Sequence, residues 1–312
     1  MKNYFRIMLG RKSIHAKECH EGGFIGADFG MDIDFKNKLP ENWREFNKEF
    51  IPTYMEKNPD KSKIAAGLAC GALHTICKYL QKEDIVLCPD GTGSYYIGEI
   101  IEDYSYHSGE NLPHRRGVRW YPKTLTRSLM SQELQYSTGS IGTVSNVSKY
   151  AEEIEALIRD NRPPKLFSTD ETIEDPKVFA LEKHLEDFLV ENWNQTRLGK
   201  KYDIFEEDGE LVGQQYPSDT GPIDILAISK DQKQILVVEL KKGRASDVVV
   251  GQIQRYMGFV KDELSEKGQT VRGVIIALEE DKRIRRALSV TTNIDFYTYK
   301  VSFKLNDPHP KG

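Results

Sequence analysis

Asp224, Glu239 and Lys241 are the residues whose types and spacing could do chemistry in this chain. Asp224 lies among Ile223, Ile225, Ala227 and Ile228 in GPIDILAIS, while Glu239 and Lys241 end the apolar run in ILVVELKKG. Side chains of a strand alternate between its faces, so Glu239 and Lys241 share one. A hairpin through SKDQKQ brings Asp224 across from them. Two converging carboxylates repel unless a cation sits between them, and a hard divalent ion such as Mg2+ suits oxygen ligands. Lys241 then neighbours the ion's water, where it can orient it, help deprotonate it, or meet charge growing on a phosphate. The chemistry is metal-assisted hydrolysis of a phosphodiester. An ExK pair alone is often a solvated salt bridge. Here Asp224 follows Gly221-Pro222 closely, the ExK strand is apolar until its charges begin, and a helix carrying Gln252 and Tyr256 comes next.

GPID, VVELKKG and QIQRY, in that order and spacing, resemble the PD-(D/E)xK nuclease superfamily. The likeness is greatest to the branch around NucS/EndoMS and to RecB-like nucleases with a QxxxY motif, and covers about residues 178 to 304. It implies a restriction-endonuclease-like mixed sheet flanked by helices, cutting DNA with Mg2+ or Mn2+. It further implies that Asp224 and Glu239 bind metal, that Lys241 serves the attacking water, and that Gln252 and Tyr256 line the site. The family usually adds an acid from an upstream helix. In ALEKHLEDFLVEN that acid is Glu182 or Glu186, which share a helical face, with Glu182 the slightly preferred metal ligand. Pro222 precedes Ile223-Asp224, so the usual Pro-Asp dipeptide is relaxed.

The elements that must position these residues follow from periodicity and punctuation. KVFALEKHLEDFLVENW reads as an amphipathic helix with Phe179, Leu185, Leu189 and Trp193 near one face. Strands follow at 223–228 and 235–240, then a helix at 246–264, the strand VRGVIIAL, the helix KRIRRALSV and the strand DFYTYKVSF, an α/β order. Prolines and polar residues interrupt both patterns around 160–176. The expected division is a first domain at 1–160, a linker at 161–177 and a nuclease domain at 178–312. Lys242, Arg244, Lys282, Arg283, Arg285 and Arg286 stand where a DNA backbone could run.

The first half mixes helices, PENWREFNKEFIPTYMEK and KSKIAAGLACGALHTICKYL, with short strands at YFRIML, DIVLCP, SYYIGEII, GVRWYP and GSIGTVSNV. That density suggests an α+β fold, a small curled sheet or barrel with helices at its rim. DIVLCPDGTGSYYIGEI, HRRGVRWY and STGSIGTVSNV resemble the PUA-like/EVE-like group, which implies a pocket for a flipped or modified base. Such a pocket needs aromatic walls and polar edge readers. Trp43, Tyr95, Tyr96 and Trp120 are the candidate walls; Asp28, Ser137 and Ser140 are the candidate readers. Arg115, Arg116 and Arg119 could meet phosphates. GGFIGADFG matches no nucleotide-binding glycine pattern and reads as a turn beside the pocket.

Bulk properties bound the rest. With 38% hydrophobic and 29% charged residues, the 312-residue chain has a soluble balance. No apolar run is long enough for a membrane span, MKNYFRIMLGRKS makes no secretory signal, and a cytoplasmic location is expected. Cys19, Cys70, Cys77 and Cys88 form no CxxC pair, which argues against a zinc knuckle or disulfide scaffold. A net charge of −4 argues against a protein that coats nucleic acid but permits a local basic groove. The leading expectation is a Mg2+-dependent endonuclease for DNA carrying modified bases, acting in restriction or antiphage defence as a homodimer. Repair of mismatched or branched DNA is the second reading, and a non-catalytic module binding modified nucleic acid is the third.

Overall fold

The computed structural model describes residues 2–139, 142–160, 185–207 and 211–299. The chain divides into two compact units: Met1–Ala180 with Glu206–Val212 and Glu263–Lys267, and Leu181–Phe205 with Gly213–Asp262 and Gly268–Gly312. The expected linker, 161–177, lies outside the described residues.

The first unit holds β1 (Tyr4–Ile7), α1 (Ala16–Gly22), β2 (Phe24–Ala27), α2 (Trp43–Lys57) and α3 (Lys63–His74). It continues through β3 (Ile85–Pro89), β4 (Ser94–Tyr106), β5 (His114–Trp120), β6 (Leu125–Thr126), α4 (Gln132–Thr138), β7 (Val144–Asn146) and α5 (Ala151–Asp160). The strands make one seven-stranded sheet in the order β2-β5-β4-β3-β1-β7, with β6 on β4. Both faces are covered. Phe5, Val86 and Cys88 join α2 and α3 in one apolar cluster, while Tyr4, Ile85 and Leu87 join Leu134, Ile154 and Leu157 in another. Burial on both sides explains why IVLC is a continuous apolar run rather than an alternating one. Asn42 caps α2 by accepting from the Arg44 N–H, and Ser62 caps α3 by accepting from the Ala65 N–H. All four cysteines are buried, and burial pushes the Cys19 and Cys70 thiols up to about 12.

GGFIGADFG is not the expected turn. Gly23, at φ 70°, closes α1, and FIGA then pairs with β5 as β2. Gly26 makes this pairing possible, because a Cβ there would stand 2.8 Å from the Leu112 carbonyl and 3.0 Å from that of His114. Glycine in this strand marks close backbone approach.

The second unit begins with α6 (185–191), the described part of the expected helix 178–193. Trp193 falls beyond it in a 3-10 turn, where it is buried and donates its indole N–H to the Tyr202 carbonyl at 2.7 Å. Then come β8 (Tyr202–Ile204), β9 (Gln214–Ser218), β10 (Gly221–Ser229), β11 (Gln234–Ala245), α7 (Val248–Phe259), β12 (Thr270–Glu280), α8 (Lys282–Leu288) and β13 (Ile294–Thr298). The order is β13-β12-β11-β10-β8, with β9 on β10. β10 and β11 are antiparallel, while β11, β12 and β13 are parallel, so the sheet is mixed, as expected.

Ile223, Ile225, Leu226 and Ala227 of β10 and Ile235 to Val238 of β11 are all fully buried. Each large side chain among them contributes about 1.5–3 kcal/mol, so the two strands that carry the acids form a stiff frame. Their turn is closed by Ser229, whose hydroxyl accepts from the Lys233 and Gln234 N–H groups. α7 lies close over β12 because Gly273 has no Cβ, which would otherwise stand 2.6 Å from the Met257 sulfur. Among the described residues no helix is long and apolar enough to cross a membrane.

Filling the β2–β5 contact tests the first unit's register. Gly26→Val lowers stability by about 2 kcal/mol, read as an earlier midpoint in urea denaturation followed by circular dichroism.

Candidate active site

β10 supplies Asp224 and β11 supplies Glu239 and Lys241. The register pairs Ile225 with Val238 and Leu226 with Val237, so the next step along the hairpin sets Asp224 opposite Glu239. Asp224 Oδ2 accepts from the Leu240 backbone N–H at 2.7 Å. Lys241 Nζ lies 2.7 Å from Glu239 Oε1. Glu239 is only 1% exposed, in a strand flanked by β10 and β12, whereas the Lys241 side chain keeps 32% of its surface in solvent. The pair therefore reaches from the sheet interior to its rim. Beyond it the β11–β12 register shifts between Lys241 and Arg244, an irregularity of the kind that re-aims side chains beside sites.

Glu186 comes to the same place from α6. It is buried and held by two carboxamides, with Gln214 Nε2 donating to Oε1 at 2.7 Å and Gln215 Nε2 donating to Oε2 at 2.6 Å. Gln215 Nε2 also lies 3.2 Å from Asp224 Oδ1, linking the two acids. Gln252 Nε2 donates to the Tyr256 hydroxyl at 3.2 Å on α7. Of the two helix acids, Glu186 is the one seen here; Glu182, the preferred metal ligand, lies outside the described residues.

The electrostatics follow from this crowding. Burial, then the carboxylates of Glu239 and Glu186, push Asp224 well above the usual carboxylate range, against the pull of the Leu240 N–H and the Lys241 ammonium. The Tyr256 hydroxyl is raised mainly by burial and further by Glu239 and Asp224. Asp224, Glu239 and Glu186 offer hard oxygens of the kind Mg2+ or Mn2+ takes, and their mutual repulsion is what a cation would relieve. Among the described residues no three His, Cys, Asp or Glu side chains already converge on one metal position. The Lys241 ammonium and the Gln215 amide stand among the acids instead. The donor set fits a divalent ion in its chemistry, with the carboxylates still to be drawn together.

Gln214 and Gln215 escaped the sequence reading. Their signal was slight, two carboxamides before Tyr216 in GQQYPS with no recognisable strand pattern. The basic residues divide. Lys282, Arg283, Arg285 and Arg286 are exposed on α8, with Arg285 paired to Glu280, and Arg244 pairs with Glu279 at 3.3 Å. The Lys242 carbonyl accepts from the Tyr299 hydroxyl.

In the first unit the expected base pocket does not assemble as a set. Tyr95 and Tyr96 are neighbours in β4 and so face opposite sides of the sheet. Tyr95 is 3% exposed in the core, its hydroxyl accepting from Arg127 Nη1 at 2.8 Å. Tyr96 and Trp120 do meet, at 6.1 Å between ring centres, but His20 stacks on Tyr96 at 4.1 Å, and the Trp120 N–H goes to the Cys19 carbonyl. Trp43 is half-buried at the start of α2. Asp28 accepts from the Gly30 N–H in a local turn, and Ser137 donates to the Tyr150 hydroxyl. Ser140 lies outside the described residues.

Arg115 and Arg116, expected to meet phosphates, are both buried in the first unit. Arg115 is buried over the Phe24 ring and bonds the Asn111 and Leu112 carbonyls and Glu110. Arg116 is buried and bonds the carbonyls of Cys77, Leu80 and Glu102. Burial turns both guanidiniums into ties for backbone carbonyls. Arg119 is exposed and pairs with Glu99 at 2.9 Å.

Residues 181–302 match the Endonuclease NucS C-terminal domain. That stretch lies mostly in the second unit. Residues 5–148 match a Domain of unknown function (DUF8426). The chain is 33% identical to Endonuclease NucS of Methanocaldococcus jannaschii over 75 residues, 24% of this chain and 27% of that protein. It is 32% identical to Endonuclease NucS of Pyrococcus abyssi over 74 residues, 24% of this chain and 28% of that one. It thus spans less than a third of the curated relatives it matches. A solved EndoMS-dsDNA2 complex aligns at a TM-score of 0.32 with 15% identity, covering 67% of this chain and 62% of that one. A crystal structure of a repair endonuclease from Pyrococcus abyssi aligns at 0.31 with 16% identity, covering 68% and 66%.

The raised Asp224 carboxyl has a measurable sign. An acid whose native pKa exceeds its unfolded value loses stability as pH rises from the ordinary carboxylate range through the native pKa. Asp224→Asn in chelator therefore melts higher than the parent near pH 8, and the gain shrinks toward pH 4. Calorimetric melts across that range check it, and a gain independent of pH contradicts it.

Proposed function

We propose that this protein is a metal-dependent DNA endonuclease whose second unit cuts the phosphodiester backbone. The observation that carries the reading is the meeting of Asp224, Glu239 and Lys241 on adjacent strands inside a NucS C-terminal domain. Asp224, Glu239 and Glu186 would hold Mg2+ or Mn2+. When bound, that ion would supply positive charge to polarise a phosphate and acidify water. Lys241 has its ammonium fixed by Glu239 and its stem leading to solvent, so it can orient the attacking water and meet charge building on the phosphate. Gln252 and Tyr256 back the site with a hydroxyl and an amide. Exposed cations on α8, and Arg244 near the end of β11, give the backbone of a duplex a place to run, so binding weakens with salt.

Between the two biological tasks, cleavage of mismatched or branched DNA is the better supported. The NucS relationship favours it, and several residues expected to read a modified base are engaged inside the first unit. Modification-dependent restriction remains the second reading, on the strength of Tyr96 and Trp120 lying together half-exposed. Two sites would be needed to cut both strands, which a homodimer supplies.

Glu239→Ala and Lys241→Ala each lower Mg2+-dependent cleavage by about 10²-fold or more. Wild-type rates in either variant refute the site. Parallel substrates, matched, mismatched, branched and carrying methylated, hydroxymethylated or glucosylated cytosine, separate the tasks. Preference for the mismatch or branch regardless of modification supports repair, and cleavage confined to modified DNA supports restriction.

A further inference from the structure

We propose that Gln215 is a positioning residue that recruits Glu186 to the metal site by bridging it to Asp224. The inference rests on the metal-dependent reading above and adds a residue to it. Two carboxylates brought together in a partly buried site repel, and α6 could relieve that by turning Glu186 away. The Gln215 amide removes the incentive. Its nitrogen lies 2.6 Å from Glu186 Oε2 and 3.2 Å from Asp224 Oδ1, so its two N–H groups can serve one acid each. Gln214 holds the other oxygen of Glu186 at 2.7 Å.

The backbone explains how neighbouring residues reach one carboxylate. In a regular strand, Gln214 and Gln215 would face opposite sides. Instead Gln215 adopts φ 52°, and the β9–β10 ladder passes from Ile223–Tyr216 to Ile225–Gln214 without pairing the residues between. The left-handed residue turns its side chain back toward the acids. Glutamine suits this post because its amide donates without adding charge. A glutamate would add a further negative group.

Mn2+ titration of the full chain by calorimetry tests the role. Gln215→Ala weakens Mn2+ binding about tenfold, Glu186→Gln weakens it similarly, and the double variant is no weaker than Glu186→Gln, because the amide acts through that carboxylate. Gln215→Asn, which tolerates the left-handed backbone but is one methylene short, behaves like Gln215→Ala. Circular dichroism melts in chelator confirm that each variant folds. Unchanged Mn2+ affinity in Gln215→Ala, or losses that add in the double variant, overturn the role. If Glu239→Ala loses Mn2+ while Gln215→Ala keeps it, only this inference fails. If the wild type binds Mn2+ no better than Glu239→Ala, the metal-dependent reading falls as well.

Discussion

A carboxylate buried in a strand with neighbours on both sides is the constraint around which the second unit is organised. An ionised Glu239 at that depth costs several kcal/mol unless it is paired and hydrogen-bonded. The nearest side chain on the same face of its own strand is two residues along, and Lys241 occupies that position, its ammonium 2.7 Å away. The ExK spacing is thus a consequence of strand geometry as well as a motif. Asp224 opposite makes the problem worse, and its shifted carboxyl registers the cost. The fold tolerates this because the runs beside the acids, Ile225 to Ala227 and Ile235 to Val238, are apolar and fully buried. A flexible loop would let the acids separate.

That rigidity is unevenly distributed. β10 and β11 keep a regular register through the apolar run, whereas the irregularities gather at the ends that hold polar groups. β11 shifts register just after Lys241, and β9 breaks its alternation at Gln215. A regular ladder can place only every second residue on a face. Bringing a helix acid, two carboxamides and a strand pair to one place requires breaking that rule where the chemistry lies, and the burial beneath offsets the local strain.

The difference between what the sequence disclosed and what it hid has the same origin. Asp224, Glu239 and Lys241 were legible because period two and a short hairpin act locally, and their meeting follows from counting residues. The strands that carry them, and α7, β12, α8 and β13 after them, were legible for the same reason, whereas β8 and β9 were not. Gln214 and Gln215 were not, since their placement depends on one positive φ that no composition marks. Tyr95 and Tyr96 were read as companions although alternation assigns them to opposite faces, and the continuous apolar run of a sheet covered on both sides disguised that alternation. β2 was hidden by its glycines, which signal turns in general and here signal a strand pressed against carbonyls. Arg115 and Arg116 look like phosphate contacts in HRRGVRW until their burial is known.

Those two arginines bear on how a chain of net charge −4 would engage a polyanion. A guanidinium committed to backbone carbonyls contributes little to a surface field, because its charge is buried and its donors are spent. Arg116 takes three carbonyls and Arg115 two carbonyls, a glutamate and a ring face. The cluster HRRGVR therefore presents one exposed cation, Arg119, already opposite Glu99. On α8, by contrast, Lys282, Arg283 and Arg286 are exposed on a short helix with a single buried residue, Ile284, to anchor it. Counterion release depends on cations that phosphates can reach rather than on their number in the sequence. On the proposed function, then, α8, and not the arginine-rich strand of the first unit, is the stronger contributor to backbone binding.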